Sequence, residues 1–436
     1  MGHLVRGLGV LVNSSLRLRA WGLLAAILVL LGWQALAPAP VVMMSLAMIA
    51  GLLIGSLAWV LVLRRGIHLE RTMGQERMQV GEVFAEEFAL GNRSGLLVPW
   101  AEVRDASTLP AYQASHALAV GARGVGHWGT KHTCLQRGVY TLGPATIRLG
   151  DPFGLWELLL AHPETRTLLI YPALAPLPPI VRARCMLPGA ARPERFALGA
   201  TVNVTGVRPY SPGDPFKRIH WRSTAHRSTS EREQFSIKEF DPEPLSDVWL
   251  FLDLQACVQA GQGLDSTEEY AVALAASLAH QMLRQQRGVG LAAYGAQPVF
   301  ISPQRGESQL WRLLGALAEA RAMGRVPLAE VLERAEPHIR RGMSCLVITP
   351  SGEPAWPEAL MRLLGRGIRP TALLLDAPSF GGAGGQQEVA ARLTGLGVDS
   401  LILGRELALY PRREADSPSP VAARPDREEV RPWAAA

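Results

Sequence analysis

Two long apolar runs near the start of the chain constrain its fold more than anything after them. Residues 20–37, "AWGLLAAILVLLGWQALA", and residues 41–63, "VVMMSLAMIAGLLIGSLAWVLVL", carry no charged side chain. A helix needs about 20 apolar residues to cross a bilayer's hydrocarbon core, and each run is close to that length. The "PAP" at 38–40 leaves room only for a tight turn, so the spacing predicts a transmembrane hairpin over residues 20–63. Arg6, Arg17 and Arg19 precede the first run, Arg64, Arg65 and Arg71 follow the second, and the turn has no cation. Cationic flanks stay on the cytoplasmic side, which places both ends of the hairpin there. Trp21, Trp33 and Trp59 lie near the ends of the runs, as interfacial aromatics do. The alternative for the first run is a cleaved signal peptide ending in "ALA", with the second run still an anchor.

The rest of the 436 residues has room for two or three domains. The net charge of +6 comes mostly from scattered arginines, without a basic run interleaved with aromatics, so nucleic acid is not an expected partner. Cys134, Cys185, Cys257 and Cys345 are far apart and form no C-x-x-C pair. They read as reduced thiols, with neither a disulfide framework nor a zinc site.

Between Met78 and Tyr171 short alternating runs such as "VFAEEFALGNRS" are broken by Gly, Pro, Asn or Asp. That pattern predicts an antiparallel β-sandwich. Gly121, Gly124 and Gly126 look like a scrambled phosphate loop, but no Lys-Ser/Thr or helix follows, so they read as turn glycines. His127 and His132 flank Trp128 and Lys131 without a third metal ligand nearby.

After Pro244 strands alternate with helices. "DVWLFLDL", "VGLAAY", "SCLVITP", "RPTALLLD" and "DSLILG" read as strands, and "DSTEEYAVALAASLAHQMLRQQRG" as a helix capped by Ser266 and Glu269. This is the grammar of a doubly wound, mostly parallel sheet. Asp253, Thr349 to Ser351 and Asp376 sit at the carboxyl ends of strands, where such sheets bind ligands.

Catalytic motifs are missing. There is no G-x-x-x-x-G-K-[ST] and no G-x-S-x-G, and Cys257 and Cys345 lie in or beside apolar runs. The expectation is therefore a chain without enzymatic activity. The α/β segment resembles a von Willebrand factor A-like domain. That resemblance implies a Mg²⁺ held by an Asp-x-Ser-x-Ser loop, a Thr and a second Asp. Here the first loop reads Asp253-Leu254-Gln255-Ala256-Cys257 and the other Thr349-Pro350-Ser351, so Asp253 is the sole clear remnant and no cofactor is expected.

Residues 206–240 read "GVRPYSPGDPFKRIHWRSTAHRSTSEREQFSIKEF". This stretch resembles the signature of the bacterial "domain of unknown function 58" family, at Arg208, Tyr210, Pro212, Gly213, Asp214, Arg218, Ile219, Trp221, Ala225, Glu239 and Phe240. It departs at His226, where the family has Arg. "QRGVYTLGPATIRLGDPFGLW" (136–156), the apolar hairpin and the A-like segment extend the resemblance over nearly the whole chain. The resemblance implies a bacterial inner-membrane protein that partners a MoxR-type AAA+ ATPase in assembly or envelope maintenance. The residues allow a physical reading beside it. Pro212-Gly213-Asp214 is turn chemistry, and the arginines offer bidentate donors to carboxylates. Together with His220 and Trp221 they fit an interdomain clamp or a partner surface. Alternatives are an enzyme acting on envelope precursors through His220 and Asp214, and a metal-dependent adhesion module.

The expected organisation is a cytoplasmic N-terminus (1–19), the hairpin (20–63), a β-sandwich-like domain (67–176), a linker with the signature (177–245), the A-like α/β domain (246–410) and a disordered tail (411–436).

Overall fold

A computed structural model describes residues 13–186, 204–211, 216, 219–227, 235–240 and 247–406. The chain enters through β1 (Asn13–Leu18) and turns at once into α1 (Trp21–Leu36). α2 (Pro40–Gly66) returns beside it, with Pro40 at its first position, where a missing N–H costs nothing. α1 has no buried residue, and α2 buries only Ser56, Val60, Leu63 and Gly66 near its end. Among the described residues one helix, Pro40–Gly66, is long and apolar enough to cross a membrane; α1, at 16 residues, is shorter than the run that encodes it.

Ten strands follow: β2 (Ile67–Met73), β3 (Arg77–Gln79), β4 (Val83–Asn92), β5 (Val98–Asp105), β6 (His116–Val120), β7 (Val125–Thr133), β8 (Gly138–Leu142), β9 (Ala145–Gly150), β10 (Trp156–His162) and β11 (Arg166–Tyr171). They form antiparallel sheets ordered β1-β10-β9-β5-β6 and β2-β4-β7, and a small sheet β3-β11-β8 in which β3 and β11 run parallel. The period of two buries Phe84, Glu86, Phe88 and Leu90 of β4 and turns the residues between them outward. Phe88, Leu90, Val103, Ile147, Leu149 and Leu158 share one core with Val60 and Leu63 of α2. Glu86 is buried against the guanidinium of Arg71, which also bonds Asp105 at 3.1 Å.

β1 is a strand that the sequence pattern does not announce. Residues 13–18 fall in the segment assigned to a plain N-terminal tail, yet Ser14 to Leu18 pair antiparallel with Leu160 to Trp156. Backbone pairing at a sheet edge asks little of the side chains, so "NSSLRL" gives a weak signal. The consequence is topological: strands of the same β-rich body precede and follow the helical hairpin.

Beyond α3 (Pro179–Met186), β12 (Val204–Pro209), α4 (Trp221–Arg227) and β13 (Ser236–Phe240) form a small module. The α/β region then runs β14 (Val248–Leu252), β15 (Gly261–Gln262), β16 (Asp265–Ser266), α5 (Thr267–Arg284), β17 (Val289–Tyr294), β18 (Pro298–Gln304) and α6 (Glu307–Glu319). It continues through α7 (Leu328–Ala335), β19 (Ser344–Thr349), α8 (Trp356–Gly365), β20 (Arg369–Leu375), α9 (Gln386–Gly395) and β21 (Asp399–Leu403). Its six-stranded sheet has the order β18-β17-β14-β19-β20-β21, parallel except for edge strand β18. The fully buried β14 explains why "VWLFL" lacks alternation. α5 carries the Ser266 cap read from the sequence, with Ser266 Oγ accepting from the Glu269 N–H at 3.3 Å.

The sheet β3-β11-β8 does not pack as part of a self-contained sandwich. Leu142, Leu168 and Ile170 lie in one continuous core with Leu274 and Leu278 of α5 and with Leu313 and Leu317 of α6. Val181 and Cys185 of α3 join the same core, so the start of the expected linker is packed.

Candidate functional site

Three places combine polar chemistry with a defined geometry: the joint between the two bodies, the crevice above β14 and β19, and the signature module.

At the joint, Arg137 sits just before β8 with its side chain 0% exposed. Its guanidinium donates to the carbonyls of Leu317 (3.1 Å) and Ala320 (2.7 Å) at the end of α6. It also pairs with Glu268 at 2.9 Å and with Glu269, both in the first turn of α5. A cation at a helix C-terminus and acids at a helix N-terminus both complement the helix dipoles. Arg321 returns a bond to the Arg137 carbonyl at 3.2 Å. Gly138 follows at φ +149°, and a Cβ there would press on the Arg321 guanidinium and the Tyr140 ring at 3.2–3.3 Å. Tyr171 of β11 and Trp311 of α6 pack as a tilted ring pair between the same two bodies, ring centroids 5.3 Å apart. In the sequence Glu269 stands out only as a helix cap, and Arg137, Gly138 and Tyr140 only as members of the stretch 136–156. Their signal is a lone Arg and an ordinary Glu-Glu pair 131 positions away, which only the fold brings together.

The crevice lies where the chain order reverses, since β17 flanks β14 on one side and β19 on the other. Asp253 and Thr349 follow those two strands, as the sequence reading placed them. Asp253 is buried; Oδ2 accepts from the Thr349 hydroxyl at 2.6 Å and Oδ1 from the Gln255 N–H at 3.1 Å. Desolvation raises its pKa, and the Thr349 and Gln255 bonds work against that rise. Gln255 Nε2 lies 2.9 Å from the exposed Cys257 thiol. Gln386 Nε2 closes the other side on the Pro350 carbonyl at 2.6 Å. Among the described residues no three His, Cys, Asp or Glu side chains converge as a metal set. Asp253 is held by Thr349 and Gln255, and Glu353 acts on it only electrostatically, which is a poor match for Mg²⁺ and its preference for several directly coordinating oxygens. His127 and His132 lie in β7, and His132 packs edge-on against Tyr112 at 5.8 Å.

The signature module is built around β12 and β13, paired with Arg208 opposite Ile237. Ile219 bridges to Ile237, and both are buried. His220 begins α4: its carbonyl accepts from the Thr224 N–H at 3.0 Å and its ring Nδ1 from the Ser223 N–H at 3.1 Å. The ring thus serves as an N-cap, the role usually given to Ser or Asp. Thr224 Oγ1 accepts from the Ser236 N–H at 3.0 Å, which ties the helix to the ribbon. Tyr210 stacks on Phe216 (5.7 Å) and meets Phe235 edge-on (6.2 Å), and Phe235 meets Trp221 edge-on at 6.5 Å. Phe216 and Trp221 nevertheless remain 69% and 67% exposed. Arg208 donates to the Pro209 carbonyl at 3.2 Å, and Ala225 lies exposed on α4. Pro212, Gly213, Asp214 and Arg218 lie outside the described residues, and Glu239 is placed in β13 by its backbone alone. The structure therefore brings Tyr210, His220 and Trp221 together with Phe216 and Phe235, two aromatics that the signature pattern does not include.

The sequence model described as "Protein of unknown function DUF58" matches residues 206–367, which runs from the module through α8. The chain is 27% identical over 215 residues to the "Uncharacterized protein YeaD" of Bacillus subtilis (strain 168), across 49% of this chain. It spans about half of that relative's length, 51%. Among solved structures it is similar to the CARDB domain of the PF1109 protein from Pyrococcus furiosus, 14% identical, over 24% of this chain and 89% of that chain, with a TM-score of 0.18. It is similar to a beta-glucosidase from Listeria innocua at 9% identity, over 24% of this chain and 16% of that one, with a TM-score of 0.17. Superpositions at those scores carry nothing about fold or chemistry.

Proposed function

We propose that this chain is a membrane-anchored, non-enzymatic scaffold that presents its signature module to a protein partner. The observation that carries the reading is the exposure of Phe216 and Trp221 on a module whose backbone and capping groups are satisfied internally. Large aromatics that stay in water beside cationic side chains are the usual anchors of protein interfaces. Arg222 on the same helix is exposed and adds charge to that surface.

The crevice at Asp253 supports a non-enzymatic role, because its carboxylate already accepts from Thr349 and Gln255. The sheet order and crossovers agree with a von Willebrand factor A-like domain that has lost its Mg²⁺ ligands. α1 and α2 together form the membrane hairpin in this reading, with the folded domains on the cytoplasmic face. Cleavage after Ala37 would strip β1 from its sheet, which argues for a retained first helix.

The resemblance to the family points to a MoxR-type AAA+ ATPase as the partner, in assembly or envelope maintenance. Affinity capture of the full-length protein from native membranes in mild detergent tests this. Enrichment of an AAA+ ATPase is the expected result, and its absence from wild-type captures would remove that partner.

A further inference from the structure

The hairpin is mounted on the β-rich body by specific contacts, and these fix how far it projects. Ser56 Oγ donates to Asp151 Oδ2 at 2.6 Å. The buried Asp151 also accepts from the N–H groups of Phe153 (2.9 Å) and Trp156 (2.6 Å). The Trp156 indole donates to the Leu53 carbonyl at 3.2 Å, and the Trp59 indole to that of Leu97 at 3.3 Å. With Val60 and Leu63 fully buried in the β-domain core, α2 cannot slide along its axis.

Above this collar stand α1, with 16 residues, and the part of α2 from Pro40 to about Ser56. At 1.5 Å per residue, 16 residues rise about 24 Å. The hydrocarbon core of an ordinary bilayer is about 30 Å thick. Exposed Arg19, just before α1, stands at the collar, while exposed Arg64 and Arg65 lie in the last turn of α2, about 12–14 Å further toward the body. Arg19 holds this end of the hairpin at the headgroups, and the two arginines below it resist deeper sinking.

The tip is built for lipid. Its backbone donors are few and bonded within the hairpin: Ala37 N donates to the Trp33 carbonyl at 2.8 Å and Ala39 N to Gln34 Oε1 at 3.2 Å. Pro38 and Pro40 have no N–H to satisfy. Leu36, 90% exposed, and the exposed Val41 and Met44 surround the turn. Lipid-facing backbone must find its partners inside the protein, and the N–H groups of Ala37 and Ala39 do.

We infer that the turn at residues 37–39 stays in the lipid of a bilayer of ordinary thickness and does not reach water on the far side. This rests on the membrane-anchored reading, and the same experiment separates the two. The full-length Cys257→Ser, Ala39→Cys protein is spin-labelled at the tip. It is then reconstituted in vesicles of short-, medium- and long-chain phosphatidylcholine. Collisions with oxygen and with a water-soluble nickel complex report depth, and the wild-type label at exposed Cys257 supplies the aqueous reference. Nickel contact at residue 39 should be lost in medium and long chains and return as the chains shorten. Nickel contact equal to that at Cys257 at every thickness would overturn the inference while leaving the anchor intact. Failure of the protein to float with any vesicle would overturn the anchor and the inference with it.

Discussion

The interdomain joint and the signature module are both rich in Arg and aromatic side chains, yet they spend them oppositely. Arg137 gives up all contact with water and is matched by two carboxylates and two helix-end carbonyls. Trp221 and Phe216 keep most of their surface in water. A buried cation with its partners in place holds two bodies in register, whereas an exposed aromatic leaves affinity unspent. Residue type alone would assign the clamp to the signature, because that is where the unusual residues cluster. Burial assigns it to Arg137.

The sharpest way to break this contrast is at the joint. Arg137→Met leaves the half-buried Glu268 and the buried Glu269 with only the longer contacts to Arg321 (3.8 and 3.7 Å), and should cost about 3 kcal/mol in denaturant unfolding of the detergent-solubilised protein. The same change should separate the unfolding of the β-rich body from that of the α/β region. A loss below about 1 kcal/mol would mean that the apolar contacts of the shared core suffice without the ion pairs.

Within the module, Ile219→Ala removes a buried side chain at its bridge to Ile237 and should cost about 2–4 kcal/mol of local stability. Limited proteolysis between β12 and β13 is the readout, and unchanged cleavage would show that the aromatic stack alone orders the module.

At the crevice the expected effect is a slope in pH. Burial raises the Asp253 pKa in the folded state, so folding favours its protonated form. The cost of the charged form is absent below the unfolded pKa and appears as pH rises through the folded one. Wild-type stability should therefore fall across that window, and Asp253→Asn should flatten the curve. A steeper curve in the variant would reverse the assignment.

Thiol labelling gives the smallest and cleanest signal. Burial pushes Cys134 up to about 11 and Cys185 up to about 12, and Cys345 is raised by the same cause. Cys257 is exposed. One fast-reacting thiol per folded chain is expected, with three more released on unfolding.

Much of this architecture is legible in the sequence, and the reasons are local. Charge-free runs announce α1 and α2, the continuous apolar "VWLFL" announces a central strand, and Ser266 with Glu269 announces the start of α5. β1 escaped because an edge strand needs a backbone partner more than it needs a pattern. The merging of β3-β11-β8 with α5 and α6 escaped because alternation shows that a face is buried and not what buries it. At the candidate site, Tyr210, His220 and Trp221 stand out by type, and the cap made by the His220 ring does not. Arg137 within the stretch 136–156 and Glu269 within a helix cap are visible separately, but nothing local pairs them, since they come from distant segments and meet only when water is excluded from around Arg137.

The central claim is that the exposed aromatics of the signature module are reserved for a protein partner. The direct test compares captures from native membranes by wild type and by a Phe216→Ala, Trp221→Ala variant. Because both side chains are largely exposed, each change should alter stability by no more than about 1 kcal/mol. A protein enriched by wild type should be lost from the variant while thermal unfolding stays nearly unchanged. Recovery of the same partner at the same level by the folded variant would contradict it.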